Sequence, residues 1–194
     1  MQDFWFYIKL GLEHVLDLGA YDHILFLAAL AVPFTFKNWK KVLLLATVFT
    51  ITHCLSLGLS AYGVLIMDVG LIEFLIPLTI LLTAVFNIIY AKSDTEHKTI
   101  LLHVIATAFF GVIHGFGFSN YFNMLMAGEE EKLGPLLGFA TGIELSQLTV
   151  VLAVLSVTYL FQSVLRVKKT IFIVSVSILI LLVTIPMLIA TFPV

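Results

Sequence analysis

Long runs of apolar residues alternate with short polar gaps along almost the whole chain. Five of the runs cover about residues 41–63, 69–91, 99–119, 133–165 and 170–192. Each has at least the ~20 residues that a helix needs to cross a bilayer. The first run, about 5–36, is too long for one straight span, and we expect a break near Gly19 after a half-inserted or interfacial helix. The pattern therefore predicts about six transmembrane helices, the first of them broken.

The composition agrees with this class of protein. Of the 194 residues, 61% are hydrophobic and 11% are charged, with a mean hydropathy of +1.12. Soluble domains have about 45–50% apolar and about 25% charged residues. We therefore expect an all-α, polytopic helical membrane protein, with residues 1–194 forming a single integral membrane domain in the lipid bilayer. The sequence lacks a basic face, which excludes nucleic acid as a partner. Whether the chain forms a homo-oligomer is left open by the sequence.

The positions of lysine and arginine predict the orientation. Eight of the ten basic residues lie in three gaps, 37–41, 92–98 and 166–169. The alternate gaps hold Asp68 and the acidic run 129–131. Because lysine and arginine accumulate in cytoplasmic loops, the three basic gaps should face the cytoplasm, and both termini should face outward. His97, in the second basic gap, is expected to be solvated.

Ionisable residues from four segments fall in the outer half of the membrane on this topology. They are His14, Asp22, His23, His53, His114 and Glu144. A charged side chain at mid-membrane costs about 2.5–3.5 kcal/mol on insertion scales, so such residues usually face the protein interior and find partners. Their coincidence in depth was not used to derive the topology, and it predicts a common site.

These residue types suit a divalent transition metal. Neutral imidazole leaves a ring nitrogen free as a ligand, and a divalent ion would offset the charges of Asp22 and Glu144. For any single histidine, a buried polar network without metal is the better interpretation. For all six residues together we favour a metal site, and imidazole suits zinc, copper, iron and nickel. Gln147, Thr52 and Ser56 are candidates for orienting the ligands, although helix hydroxyls commonly bond their own backbone.

The motifs around these residues resemble the HupE/UreJ family of bacterial membrane proteins. Four elements carry the resemblance, in order: GLEHVLDLGAYDHILFL with His14, Asp22 and His23, ITHCLSL with His53, FGVIHGFGF with His114, and GIELSQL with Glu144 and Gln147. The resemblance implies a permease-like protein with six or seven helices in the bacterial inner membrane, linked to nickel or cobalt supply for hydrogenase or urease. The chain departs from the family pattern in having His-Val-Leu-Asp where a His-Pro start is common.

Two functions from different classes use the same six residues. The first is a transition-metal permease, in which the ion reaches the site from outside and moves inward. The second is a zinc-dependent intramembrane hydrolase, in which a metal-bound water with a pKa near ~7 attacks an ester or amide. The absence of a His-Glu-x-x-His element argues weakly against the hydrolase. A structural partner of another membrane complex is the third possibility.

Overall fold

The computed structural model describes residues 2–92, 100–128 and 131–193. Within these ranges the chain forms seven α-helices and no β-strand. The helices are α1 Gln2–Leu16, α2 Asp22–Ala31, α3 Trp39–Ala61, α4 Val69–Tyr90, α5 Ile100–Leu125, α6 Leu133–Tyr159 and α7 Lys169–Ala190. A short 3-10 turn, Phe36–Asn38, precedes α3, and a π-helical stretch, Leu160–Val164, continues α6.

Five of the helical stretches are long and apolar enough to cross a membrane. They cover residues 36–61, 69–90, 100–125, 133–164 and 169–190, close to the five later runs of the sequence. The first run forms α1 and α2, of 15 and 10 residues, or about 22 Å and 15 Å of helix at 1.5 Å per residue. The prediction of an all-helical membrane protein with a broken first segment is confirmed. His97, Glu129 and Glu130, which we expect in solvated loops, lie outside the described residues.

A turn at residues 17–21 produces the break. The Asp17 carboxylate accepts a hydrogen bond of 2.7 Å from the backbone N–H of Gly19, which offers the chain a local alternative to continuing the helix. The residues of this turn are exposed, Leu18 by 82%. Asp17 thus has a local structural role, and the turn allows α2 to begin with its first residues inside the bundle.

Close helix contacts at glycines fix the positions of the site-bearing helices. A Cβ atom at Gly11 of α1 would lie 2.9 Å from the backbone nitrogen of Ile143 in α6, and one at Gly111 of α5 would lie 2.8 Å from the backbone oxygen of Phe49 in α3. A Cβ atom at Gly115 would likewise lie against the backbone of His53. Small residues let helices in membranes approach closely. The pairs α1–α6 and α3–α5 are therefore held backbone to backbone, on either side of α2.

Candidate metal centre

Five of the six predicted site residues come together inside the bundle. The structure contains two groups whose ligand atoms all lie within 4.8 Å of one another: His14, His23 and His53, and then Asp22, His23 and His114. His23 belongs to both groups. We call the five residues the histidine cluster. Four helices supply them: His14 lies in the last turn of α1, Asp22 and His23 begin α2, His53 lies on α3 and His114 on α5.

The histidine cluster is deeply buried. His23, His53 and His114 are 3%, 0% and 1% exposed, and the Asp22 side chain is 18% exposed. The ring of His23 lies 4.5 Å from that of His14, 5.7 Å from that of His53 and 5.1 Å from that of His114, between centroids. His23 is therefore the centre of the cluster.

Aromatic side chains enclose these rings. Phe118 and Phe139 stack on each other, and the ring of Phe118 lies 4.0 Å from that of His14. On the other side, Phe26 and Phe49 lie 5.4 Å and 5.3 Å from His114. The aromatic wall lowers the local dielectric, which strengthens any electrostatic interaction inside it.

Most of the ring nitrogens lack a hydrogen-bond partner. Five buried nitrogens have none among the described residues: Nε2 of His14, Nε2 of His23, both nitrogens of His53 and Nδ1 of His114. A buried polar atom left unpaired costs about 1–3 kcal/mol, and native proteins contain few of them. Five such nitrogens in one cluster could serve as ligand atoms.

Asp22 fixes the orientation of the central histidine. Its Oδ1 lies 3.3 Å from Nδ1 of His23. With Nδ1 donating to the carboxylate, Nε2 carries the free lone pair and faces the other rings. Adjacent side chains inside a regular helix point about 100° apart, and this pair does not follow that spacing. Asp22 is the first residue of α2 and follows a turn, so its side chain is not restricted to the spacing of a helix interior.

Two of the three residues expected to orient the ligands use their hydroxyls within their own helix. Thr52 donates to the carbonyls of Val48 and Phe49, and Ser56 donates to the carbonyl of His53, so both bond their own helix. The hydroxyl that contacts the cluster belongs to Thr79 of α4, 3.3 Å from Nε2 of His114. Thr79 is 2% exposed and also donates to the Ile76 carbonyl. No motif in the sequence marks it.

Glu144 lies outside both metal-binding groups. Its two carboxylate oxygens accept hydrogen bonds from Thr47 at 2.7 Å and Thr50 at 2.6 Å, both on α3. The Thr50 hydroxyl also lies 3.3 Å from Oε1 of Gln147. Glu144 and Gln147 thus form a separate polar cluster with the two threonines, which we call the oxygen cluster. The expectation that Glu144 joins the histidines in one set is not supported by this geometry.

An open cavity of about 650 Å³ reaches the edge of the histidine cluster at His14. Its lining is mainly apolar, with Leu16, Phe118 and Tyr121 among the residues, and Glu13 and Asp17 add two carboxylates. His14 is the only cluster residue in this lining. The cavity therefore gives a direct approach to the first histidine from beside the turn at residues 17–21.

The donor set fits a divalent transition metal. Imidazole nitrogens with one carboxylate are the ligands that nickel, cobalt and zinc accept. Ligand atoms about 2.1 Å from a shared ion lie about 3.4 Å apart in a tetrahedral site, so the atoms of each group, which lie within 4.8 Å of one another, would move closer together around an ion. Asp22 has no lysine or arginine as an ion-pair partner in the described part of the chain, and its carboxylate contacts Nδ1 of His23 instead.

Sequence comparison gives the family. A family model described as HupE / UreJ protein matches residues 1–191, essentially the whole chain. Comparisons with curated proteins and with solved structures found no match. The matched range includes all five residues of the histidine cluster and the oxygen cluster as well. With this coverage, and with the membrane fold described above, the chain belongs to the HupE/UreJ family.

Proposed function

We propose that the protein is a permease for a divalent transition-metal ion of the nickel, cobalt or zinc type, and that the histidine cluster binds this ion within the membrane. The observation that carries the proposal is the set of five buried ring nitrogens without partners. A bound ion would use these lone pairs and would offset the charge of Asp22. The association of the family with nickel and cobalt supply supports the same class of ion.

The two overlapping groups suggest how the ion moves. His14, at the cavity, would receive it together with His23 and His53, and Asp22, His23 and His114 would hold it next. His23 stays bound in both arrangements, so the ion is never without a ligand. Three protein ligands in each group leave room for water in the coordination shell, and permeation requires binding that is not too tight.

The proposed orientation places both termini outside the bacterial inner membrane. It rests on the basic gaps 37–41, 92–98 and 166–169. Reporter fusions after residues 38 and 167 should report the cytoplasm, and a fusion near residue 66 should report the exterior. A cytoplasmic signal at residue 66 would reverse the orientation and the direction of transport derived from it.

Uptake into proteoliposomes tests the proposed function. His114→Asn should abolish accumulation of nickel or cobalt, because it removes a ligand of the second group. His103→Asn is the matched control, since His103 lies on the same helix and contacts Phe34 and Phe86 instead of the cluster. Equal uptake by the two variants would contradict the proposal, as would wild-type vesicles that take up no metal.

The large cavity beside His14 favours one alternative, a zinc-dependent intramembrane hydrolase. Its apolar lining could hold an acyl chain next to the metal. In that case the purified zinc-loaded protein should cleave lipid-like esters or amides and lose this activity on treatment with a chelator. Metal accumulation in vesicles without hydrolysis of such substrates would favour the permease.

A further inference from the structure

We propose that the metal ion leaves the histidine cluster along the interface between α4 and α5, and that Phe110 closes this exit as an apolar gate. The inference rests on the proposed permease function and on its orientation. It concerns the part of the bundle on the cytoplasmic side of the histidine cluster, where α4 and α5 enclose a cavity.

The exit begins where Thr79 contacts His114. The hydroxyl of Thr79 on α4 lies 3.3 Å from Nε2 of His114 on α5, and both residues are buried. His114 belongs to the second metal-binding group, together with Asp22 and His23. An ion held by this second group would therefore lie beside the interface between α4 and α5.

Successive turns of the two helices continue this interface towards the cytoplasmic side. On α4, Thr83 lies one turn beyond Thr79. On α5, Phe110 and Thr107 lie one and two turns from His114 in the same direction. Side chains at these spacings share one face of a helix. The two faces meet, because Thr83, Thr107 and Phe110 line one cavity of about 160 Å³.

The wall of this cavity is mainly apolar. Thr83 donates its hydroxyl hydrogen to the Thr79 carbonyl at 2.8 Å, and Nδ2 of Asn87 donates to the Ala29 carbonyl at 2.6 Å, so both groups bond the protein itself. The apolar part of the wall includes Leu30, Leu82 and Phe86. An apolar cavity of this size stays dry. A dry passage blocks an ion, which would lose its hydration shell there without gaining ligands.

Phe110 separates the histidine cluster from the cavity. It lies one turn from His114 on α5 and lines the cavity. Its ring lies 5.7 Å from that of Phe26, and the Phe26 ring lies 5.4 Å from that of His114. Phe110 also packs against the apolar core that contains Leu30 and Ile80. Hydrophobic constrictions gate channels by excluding water, so a movement of the Phe110 ring would join the cavity to the metal site.

The other long interface of α5, with α3, is closed by backbone contacts. A Cβ atom at Gly111 would lie 2.8 Å from the backbone oxygen of Phe49 in α3. At the α4–α5 interface, a Cβ atom at Gly117 would instead lie 2.7 Å from Cδ1 of Ile76, the end of a side chain. A side chain moves by rotation about its own bonds, whereas a backbone contact yields only when a helix moves. The interface with α4 is therefore the one that can open.

His103 borders the cavity, and it belongs to the wall. Its ring packs against those of Phe34 and Phe86, with centroids 5.9 Å and 5.6 Å away. Asparagine at this position is smaller and leaves the cavity open, so His103→Asn should not reduce uptake.

Two substitutions with opposite expected effects test the exit, with nickel or cobalt moving down its own concentration gradient into vesicles. Ala106 lines the cavity. Ala106→Phe would fill the cavity with a phenyl ring, so it should bind metal as the wild type does but lose uptake. Phe110→Asn places a polar amide at the gate and admits water, so it should take up metal faster than the wild type. Ile105→Phe and Phe109→Asn are the matched controls, because these neighbouring side chains are 58% and 59% exposed on the outside of the bundle.

Each outcome decides the question. Lost uptake in Ala106→Phe and faster uptake in Phe110→Asn, with both controls at the wild-type rate, support the inference. If Ala106→Phe takes up metal as fast as Ile105→Phe, or if Phe110→Asn is no faster than Phe109→Asn, the inference is wrong while the permease stands, and the cavity is only a gap that faces lipid. If Ala106→Phe no longer binds metal, its fold is disturbed, and Phe110→Asn alone decides. Wild-type protein that neither binds nor takes up metal would overturn both proposals.

Discussion

The histidine cluster and the oxygen cluster are two polar regions at similar depth in the same bundle, and they differ in how their atoms are satisfied. The carboxylate of Glu144 receives two hydroxyl hydrogen bonds. The imidazoles of the histidine cluster have five buried nitrogens without partners. In the oxygen cluster the carboxylate is paired, and one buried atom, Nε2 of Gln147, has no partner among the described residues. A network that leaves several lone pairs unpaired is suited to a ligand that forms several strong bonds.

The two clusters also differ in charge and in the number of unpaired ligand atoms. The charged oxygens of Glu144 already accept hydrogen bonds. The histidine cluster has five unpaired ring nitrogens but only one charged group, Asp22. Changes in the histidine cluster should therefore affect metal affinity more than changes in the oxygen cluster.

Replacement of the shared histidine should have the largest effect. His23→Asn removes the one ligand that belongs to both groups. Affinity for nickel, cobalt or zinc should fall by more than about 100-fold, beyond the 10–100-fold typical of outer-shell partners. Isothermal titration of the purified protein measures this, with His103→Asn as the control. If the metal affinity of His23→Asn falls no more than that of the control, His23 is not a metal ligand.

Asp22→Asn should weaken metal binding by about 10–100-fold. The substitution keeps the size of the side chain but removes its charge and weakens the acceptor that holds Nδ1 of His23. Asp68→Asn is a suitable control, since Asp68 caps α4 through Leu71 and asparagine caps equally well. The same titration applies. If the two variants bind metal alike, Asp22 has only a local structural role.

Metal affinity should fall as the solution becomes acidic. Histidine binds metal only when neutral, so protons compete with the metal for the ring nitrogens, and the expected loss is about tenfold per pH unit for each histidine that must release a proton. Binding isotherms from pH 7.5 down to the lowest pH at which the protein stays folded measure the effect. A metal affinity that stays constant over this whole range would exclude histidine as the main ligand type.

Thr79→Val should have the smallest effect, about threefold, the equivalent of one neutral hydrogen bond. It removes the hydroxyl beside Nε2 of His114 and leaves a side chain of the same shape. Thr83→Val is the control, because the Thr83 hydroxyl bonds the backbone of its own helix. A loss as large as that of Asp22→Asn would mean that Thr79 binds the metal directly.

Much of the fold follows from the hydrophobic pattern. The five later runs match the five candidate spans within a few residues, except at the C-terminal end of α5, which continues from residue 119 to Leu125. The apolar pattern weakens there because Asn120 and Asn123 intervene. The break in the first segment is also visible in the sequence, because Asp17 and Gly19 supply turn chemistry. Helix periodicity and turn residues are local properties, so sequence alone reveals them.

The site was only partly predictable. Five of the six proposed ligands do converge, since intramembrane polar residues face the bundle interior whatever their order in the chain. Depth alone could not separate Glu144 from the histidines, because it says nothing about rotation around the helix axis. Thr47, Thr50 and Thr79 gave no signal, since isolated threonines in apolar helices usually bond their own backbone. Their roles depend on which helices are neighbours, and that depends on contacts such as Gly111 against Phe49.

X-ray absorption spectroscopy of the metal-loaded protein tests the central claim most directly. The proposed site predicts one bound nickel, cobalt or zinc ion per chain, with at least two imidazole nitrogens in its first shell, and with one fewer after His23→Asn, because His23 belongs to both groups. Glu144→Gln should leave this spectrum unchanged. A first shell made only of oxygen atoms, or a spectrum unaltered by His23→Asn, would contradict the assignment of the histidine cluster as the metal site.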